Sequence, residues 1–332
     1  MRAIQIHQWT RPEDLRETDA PGPSCGVGEV VIDVHAAAIS HSLGLLVQGQ
    51  YQRKPAFPFI PGNTVAGIVS ATGEGATRFR IGDRVVASLE MGGLAAQAAA
   101  HEDNVFAIPE GMPFDEATTL NTSYNSVAAA LTWPHVLNLQ AGQALLVTGA
   151  GGGTGTAAVQ IGKLLGARVM AAARSDARRQ RALRHGAEWV VDADPATLRD
   201  AVREHLPQGV DAAIEPAGGA LFDAALRCMA PMGRIVPLGF AGGDVPQIPA
   251  NLLLVKNITV CGLYMGYYKI DARAEHAGRM RALFTTLGDW WSQGLIRPEI
   301  GLRLPLAEVS NGFAWLRERA HTGHAVIDMA AH

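Results

Sequence analysis

The chain has 332 residues, which at about 150 per domain allows roughly two domains and excludes a peptide-sized scaffold. Hydrophobic residues make up 48%, charged residues 18%, and there are 37 glycines, a balance that suits a globular α/β protein and excludes disordered, collagen-like and membrane classes. With 28 basic against 31 acidic residues the formal net charge is -3, so no overall field favours nucleic acid or an anionic membrane.

The first residues, MRAIQIHQWT, contain no apolar stretch of signal-peptide length, and no later stretch reaches the 18 or so apolar residues that span a bilayer. A cytoplasmic protein is expected. Cys25, Cys228 and Cys261 are odd in number and far apart, which fits reduced thiols acting as small buried hydrophobes and does not fit a disulfide framework or a four-cysteine zinc knot.

The first third reads as β-rich. Ile4 and Ile6 alternate with polar neighbours, Glu29 to Ala36 is a strand-like run, and PGNTVAGIVSATGEG and RIGDRVVASL are short apolar runs broken by glycine and proline. A compact barrel-like unit is predicted. From about residue 142 the pattern changes to apolar, β-branched strands separated by helical stretches. Strands are predicted to begin near Ala144, Arg168, Trp189, Val210, Arg234 and Asn257, at intervals of 24, 21, 21, 24 and 23 residues. Each interval is one βα unit, and six such units make a doubly wound parallel sheet. After residue 270 follow a helical stretch (MRALFTTLGDWWSQG), a strand (IGLRLPL), a helix (EVSNGFAWLRERA) and a last strand (HAVIDM). Their style returns to that of the first third, so the amino-terminal domain is expected to be completed by the carboxyl-terminal segment. Trp290, Trp291 and Trp315 are read as helix-packing aromatics.

The most informative stretch is ALLVTGAGGGTGTAAVQIGKLLGARV, in which an apolar strand runs into Ala150-Gly151-Gly152-Gly153-Thr154-Gly155 and then into helical spacing. Between a strand and a helix, at the head of a βα series, such glycines read as a dinucleotide fingerprint. Gly152 lets the main chain approach a pyrophosphate, Gly155 allows close helix-on-strand packing, and the N–H groups of Gly153 and Thr154 face the phosphate oxygens. Ala150 stands where the fingerprint usually begins with glycine. About 20 residues further on, a carboxylate would mark an NAD site. Ala173, Arg174 and Ser175 stand there, followed by Asp176 and Arg178. A guanidinium clamps a 2′-phosphate, so NADPH is the predicted cofactor, held by Arg174, Ser175 and Arg178. Arg181 and Arg184 are read as a solvated helix face.

The order VHAAAIS, LVQGQY, FPFIPGNTVAGIVSATGEG, RIGDRVVA, the glycine turn, GVDAAIEPAGG, GRIVPLG and NLLLVKNITVCGLYMG resembles the medium-chain dehydrogenase/reductase superfamily. Within it, the sequence is most similar to the zinc-independent quinone oxidoreductase (zeta-crystallin-like) branch. The resemblance implies a GroES-like catalytic domain over residues 1–121 and 268–332, a Rossmann NADPH-binding domain over 122–267, and the cofactor in the cleft between them. It also implies a homodimer joined edge to edge around Ile258 to Leu263. Where the zinc alcohol dehydrogenases have a ligand Cys followed by His, this chain has Ser40-His41; for their Gly-His-Glu it has Gly62-Asn63-Thr64. Ser40, Asn63 and Thr64 are poor zinc ligands, so no metal is expected. The quinone reductase branch usually has Asn at the place of Ser40, Asp at the place of Leu43 and often Glu at the place of Thr64, so the lining near the nicotinamide is expected to be atypical.

Without a metal, the simplest chemistry is hydride transfer from NADPH to a quinone or an α,β-unsaturated carbonyl. Tyr51 matches the family's active-site tyrosine and would orient or protonate the acceptor; alternatively it packs against the barrel. Ser40 would touch the nicotinamide ribose. His41 offers a hydrogen bond, with a structural histidine as the plainer reading. Tyr124 is expected beside the nicotinamide or its phosphates, and Gly239, Phe240, Leu263, Tyr264 and Met265, beyond the last two strands, at the nicotinamide end. An enoyl-thioester reductase and a non-catalytic NADPH-binding protein are the competing readings. The absence of a polar side chain at Leu43 favours the latter.

Overall fold

The structure, a computed structural model, describes residues 1–318 and 322–331. The chain divides into two compact units. The first comprises Met1–Thr122, Met265–Ser292 and the residues from Arg297 onward; the second comprises Ser123–Tyr264 and Gln293–Ile296.

The first unit is built on one long strand, Glu29–Ile39, whose alternating and then continuous apolar residues are buried. Along one side it pairs antiparallel with Thr64–Thr72, which pairs in turn with Arg84–Ser88. Its other side is shared: residues 29–33 pair with Gln97–His101, and Ala36–Ile39 pair with the last strand, His324–Asp328. The carboxyl-terminal strand thus lies inside the sheet begun by the amino-terminal third. Val30, Ile32, Val65, Val85, Phe313 and Ile327 meet in its core, each worth roughly 1.5–3 kcal/mol when withdrawn from water. The helix Arg273–Ser292 starts earlier than its apolar spacing predicts. The helix Val309–Glu318 matches the predicted one as far as it is described, the expected residues 319 and 320 lying outside the described residues.

The second unit is a six-stranded parallel sheet. Its strands lie in the order Trp189–Val191, Arg168–Ala172, Ala144–Val147, Val210–Glu215, Met229–Pro237 and Thr259–Val260. In chain order this is 3-2-1-4-5-6, the doubly wound arrangement in which the direction of winding reverses between the first and fourth strands. The strand predicted at Arg234 begins at Met229, but the register jumps from Val210↔Met229 to Ala212↔Arg234, and Met232 at φ 65 sits in the bulge. The regular ladder therefore starts at the predicted residue.

Candidate functional site

The glycine turn joins the first strand of the parallel sheet to the helix Gly153–Leu164. Its sharp reversal is made at Gly149, with φ 60, and Ala150 has no positive φ. This explains how alanine is tolerated where the fingerprint begins: the left-handed residue is one position earlier. At Gly155 a Cβ would lie 2.3 Å from the Gly149 carbonyl oxygen and 2.6 Å from the Ala150 Cα, so helix and turn touch through a missing side chain. Gly152 differs. It is the residue before the helix, carries no capping side chain, and a Cβ there would meet nothing nearer than 3.5 Å. The first N–H groups of the helix, Gly153 and Thr154 among them, thus have no side-chain acceptor from the cap position, and the space a Cβ would fill suits an approaching anion. The residues present fit a dinucleotide diphosphate.

Arg178 lies over this turn. A Cβ on Gly151 would meet its side-chain carbons at 2.5 Å. The Arg178 pKa is lowered, first by burial and then by the like charge of Arg174; Arg174 and Ser175 are exposed. Two neighbouring guanidinium groups beside a helix terminus favour an anion between them. Asp176 does not oppose it: Arg179 holds its carboxylate at 2.5 Å and also donates to the Ala173 carbonyl at 2.9 Å. Arg181, read as solvated, is corrected by the structure. It is only 5% exposed, because residues 178, 181, 182 and 185 share the inward face of their helix.

The loops after the fourth and fifth strands pack beside the turn. Pro216 lies 3.2 Å from the Cβ position of Gly149, and Ala241 and Gly242 donate to the carbonyls of Pro216 and Ala217 at 3.1 Å and 2.6 Å. Gly239 and Phe240 are therefore brought to the same edge of the sheet as Gly152, Phe240 being 38% exposed. Leu263 is half-buried and Tyr264 exposed after the sixth strand; Met265 is half-buried at the start of the next segment of the first unit.

Sequence reasoning missed the residue that shapes this edge. Glu215 is wholly buried, and its carboxylate accepts from Ala217 N at 2.8 Å, Gly218 N at 2.7 Å and Thr148 Oγ1 at 3.0 Å. Burial raises its pKa, against the three hydrogen bonds, which lower it. A charged residue ending the apolar run VDAAIE was the available signal. Tyr124, expected beside the cofactor, is instead fully buried, and its hydroxyl donates to Gln160 at 3.0 Å, with Gln160 joined to His185 at 3.0 Å. Its ring belongs to the core as the structure places it and presents no surface to a ligand.

In the first unit, Ser40 caps the helix His41–Val47: its Oγ accepts from Leu43 N at 3.3 Å and lies 3.0 Å from Ser42 Oγ. His41 is exposed at the start of that helix. Tyr51 is partly buried against the edge of the core. Leu43 is 1% exposed within that core, because the helix turns it inward.

A zinc ion is not fitted by these side chains. Thr64 is buried at the start of its strand opposite Ser88, and Ser40 is a helix cap. Among the described residues no three His, Cys, Asp or Glu side chains converge. The thiols of Cys228 and Cys261 are buried on the carbonyls of Ala224 and Val136, and burial pushes Cys228 up to about 11. Cys25, expected to be buried, is only partly so. No described helix is long and apolar enough to cross a membrane.

Comparison with known proteins adds the following. Residues 26–110 match the alcohol dehydrogenase GroES-like domain family and residues 153–280 the zinc-binding dehydrogenase family. Quinone oxidoreductase-like protein 2 of Rattus norvegicus is 36% identical over 330 residues, 99% of this chain and 92% of the relative. Quinone oxidoreductase of Homo sapiens is 28% identical over 313 residues, covering 93% and 92%. Among solved structures, a probable oxidoreductase from Mycobacterium abscessus superposes with a TM-score of 0.86 at 31% identity, covering 99% of this chain and 98% of the other. A mycobacterial protein solved in complex with NADPH superposes with a TM-score of 0.90 at 26% identity, covering 98% and 99%.

Proposed function

The chain belongs to the quinone oxidoreductase-like proteins of the medium-chain dehydrogenase/reductase superfamily, and from that premise we propose that it is an NADPH-dependent reductase of quinones or α,β-unsaturated carbonyls that works without zinc. The observation that carries this reading is the uncapped helix start at Gly152 with Arg178 over the turn and the like charge of Arg174 acting on Arg178. In this reading Gly152, Gly153 and Thr154 receive the diphosphate through the main chain, and Arg174, Ser175 and Arg178 receive the 2′-phosphate. Gly239, Phe240, Leu263, Tyr264 and Met265 border the nicotinamide end. When bound, the cofactor supplies a hydride.

The protein's own part is to orient the acceptor and answer the negative charge that develops on its oxygen. Tyr51 is assigned that donation, since a phenol with a pKa near 10 is protonated at neutral pH. Ser40 and His41 assist at the ribose and acceptor ends. The poor donor set at Ser40, Asn63 and Thr64 supports a zinc-free reaction. Association into a homodimer around Ile258 to Leu263, where the strand Thr259–Val260 ends the strand order of the parallel sheet, and a cytoplasmic location complete the proposal.

The test is to mix the pure protein with NADPH or NADH and a panel of quinones, enals and enoyl thioesters while following cofactor absorbance, with Tyr51→Phe in parallel. NADPH-preferring turnover of a quinone or enone, reduced in Tyr51→Phe, is expected. Binding with no acceptor reduced would sink the enzyme reading, turnover of enoyl thioesters alone would favour that reductase class, and stoichiometric zinc by elemental analysis would overturn the metal-free chemistry.

A further inference from the structure

One cation in the first unit stands outside every role assigned above. The protein has four lysines, and the side chain of Lys269 is half-buried, its Nζ donating to the main-chain carbonyl of Asn121 at 3.2 Å. Burial is the sole cause that moves its pKa, from 10.5 down to about 8. The charged groups on neighbouring elements are committed to one another. Arg53 pairs with Glu90 at 3.0 Å and with Asp271, while Asp103 is shared by His101 at 3.3 Å and by Arg273 and Arg281 at 3.8 Å.

The surroundings of Lys269 are built. It lies in the wide turn Tyr267–Asp271, whose main chain is fixed where Asn104 Nδ2 donates to the Lys269 carbonyl at 2.7 Å. At the end of the same turn Asp271 is bound by Arg53, which follows Tyr51 by two residues in the loop after the helix His41–Val47. On the other side the Asn121 side chain donates to Ser88 Oγ at 2.9 Å, and Ser88 stands opposite Thr64 in the sheet. Three stretches far apart in sequence, the Tyr51 loop, the end of the strand Arg84–Ser88 and the segment beginning at Asn121, are therefore strutted through one short turn.

We propose that Lys269 is a positioning residue of this reductase, its ammonium holding the Asn121 main chain in register with the loop that carries Tyr51. The inference rests on the reductase reading above. The charged form makes the stronger bond, since a hydrogen bond from an ammonium is roughly twice as strong as one from a neutral donor. A lysine with a lowered pKa is charged below that pKa and neutral above it, so the strut weakens as pH rises through about 8.

Wild-type kcat/KM is expected to be level below that pH and to fall above it. In Lys269→Met this fall is expected to vanish, with kcat/KM at pH 7 lower by about tenfold, close to the loss of one charge-assisted bond; Lys269→Arg is expected to restore the rate and carry the fall to higher pH. Reductive ¹³C-methylation gives an independent readout, the Lys269 signal being the one missing in Lys269→Arg and titrating near 8. A Lys269 signal titrating at the ordinary lysine value, or a Lys269→Met profile that keeps the wild-type fall, overturns the inference and leaves the reductase intact. A protein that binds NADPH and reduces no acceptor sinks both.

Discussion

Substituting alanine at two glycines of the same turn separates ligand binding from folding. At Gly155 the new Cβ would sit 2.3 Å from the Gly149 oxygen and 2.6 Å from the Ala150 Cα. Both are main-chain atoms that cannot rotate away, so the helix must lift from the turn. Overpacking of this kind costs about 1–3 kcal/mol, or roughly 2–12 °C in Tm at about 2–4 °C per kcal/mol for a unit of this size. At Gly152 the φ of -89 and ψ of 171 are open to alanine, and the nearest atom is 3.5 Å away. Removing glycine's freedom from the unfolded chain even adds about 0.4–1 kcal/mol of stability. The methyl group, however, occupies the approach of the diphosphate, and a loss of at least about tenfold in NADPH affinity, roughly 1.4 kcal/mol, is expected. Thermal unfolding and fluorescence titration with NADPH measure the two effects. Gly152→Ala binding NADPH within about twofold of wild type, a difference of about 0.4 kcal/mol, would refute the cradle.

Arg174→Gln is expected to weaken NADPH by about tenfold, the worth of one charge-assisted bond, while leaving NADH unchanged; equal losses for both cofactors would remove Arg174 from the 2′-phosphate. Glu215→Gln sets an amide NH2 against a main-chain N–H and is expected to cost about 1–3 kcal/mol in urea unfolding at neutral pH. Because burial raises the Glu215 pKa above 4.5, the folded state holds its proton more tightly, and stability falls as pH rises from 4.5 through the folded value; in Glu215→Gln that part of the slope disappears. Ser40→Ala removes the cap of a seven-residue helix and is expected to lower stability by about 1 kcal/mol, seen as a shift in denaturation midpoint, and an unchanged midpoint would show the Oγ bond to Leu43 N to be idle.

The parallel sheet was readable from the sequence because its strands are mostly apolar runs at regular intervals, and the glycine turn because its residues are contiguous. The same contiguity fails elsewhere. Tyr124 and Gln160, 36 residues apart, meet only after folding, as do Asn121 and Lys269, 148 residues apart. Arg181 sits in a run of arginines that reads as solvated until the helix is docked. His41–Val47 and Ala250–Lys256, at seven residues each, are too short for helical periodicity to stand out and owe their form to packing. At Leu43 the direction the helix faces, which no local pattern gives, decides that the side chain meets the core.

The strand His324–Asp328, seated on Ala36–Ile39, has a consequence for biosynthesis. The ribosome delivers residues 29–39 early, yet four of these eleven strand residues lack one neighbour until residues 324–328 are made. The intervening α/β unit has all six of its strands by Val260 and is free to fold earlier. A nascent chain arrested at residue 300 is thus expected to protect the later-made unit from protease while its own beginning stays cleavable.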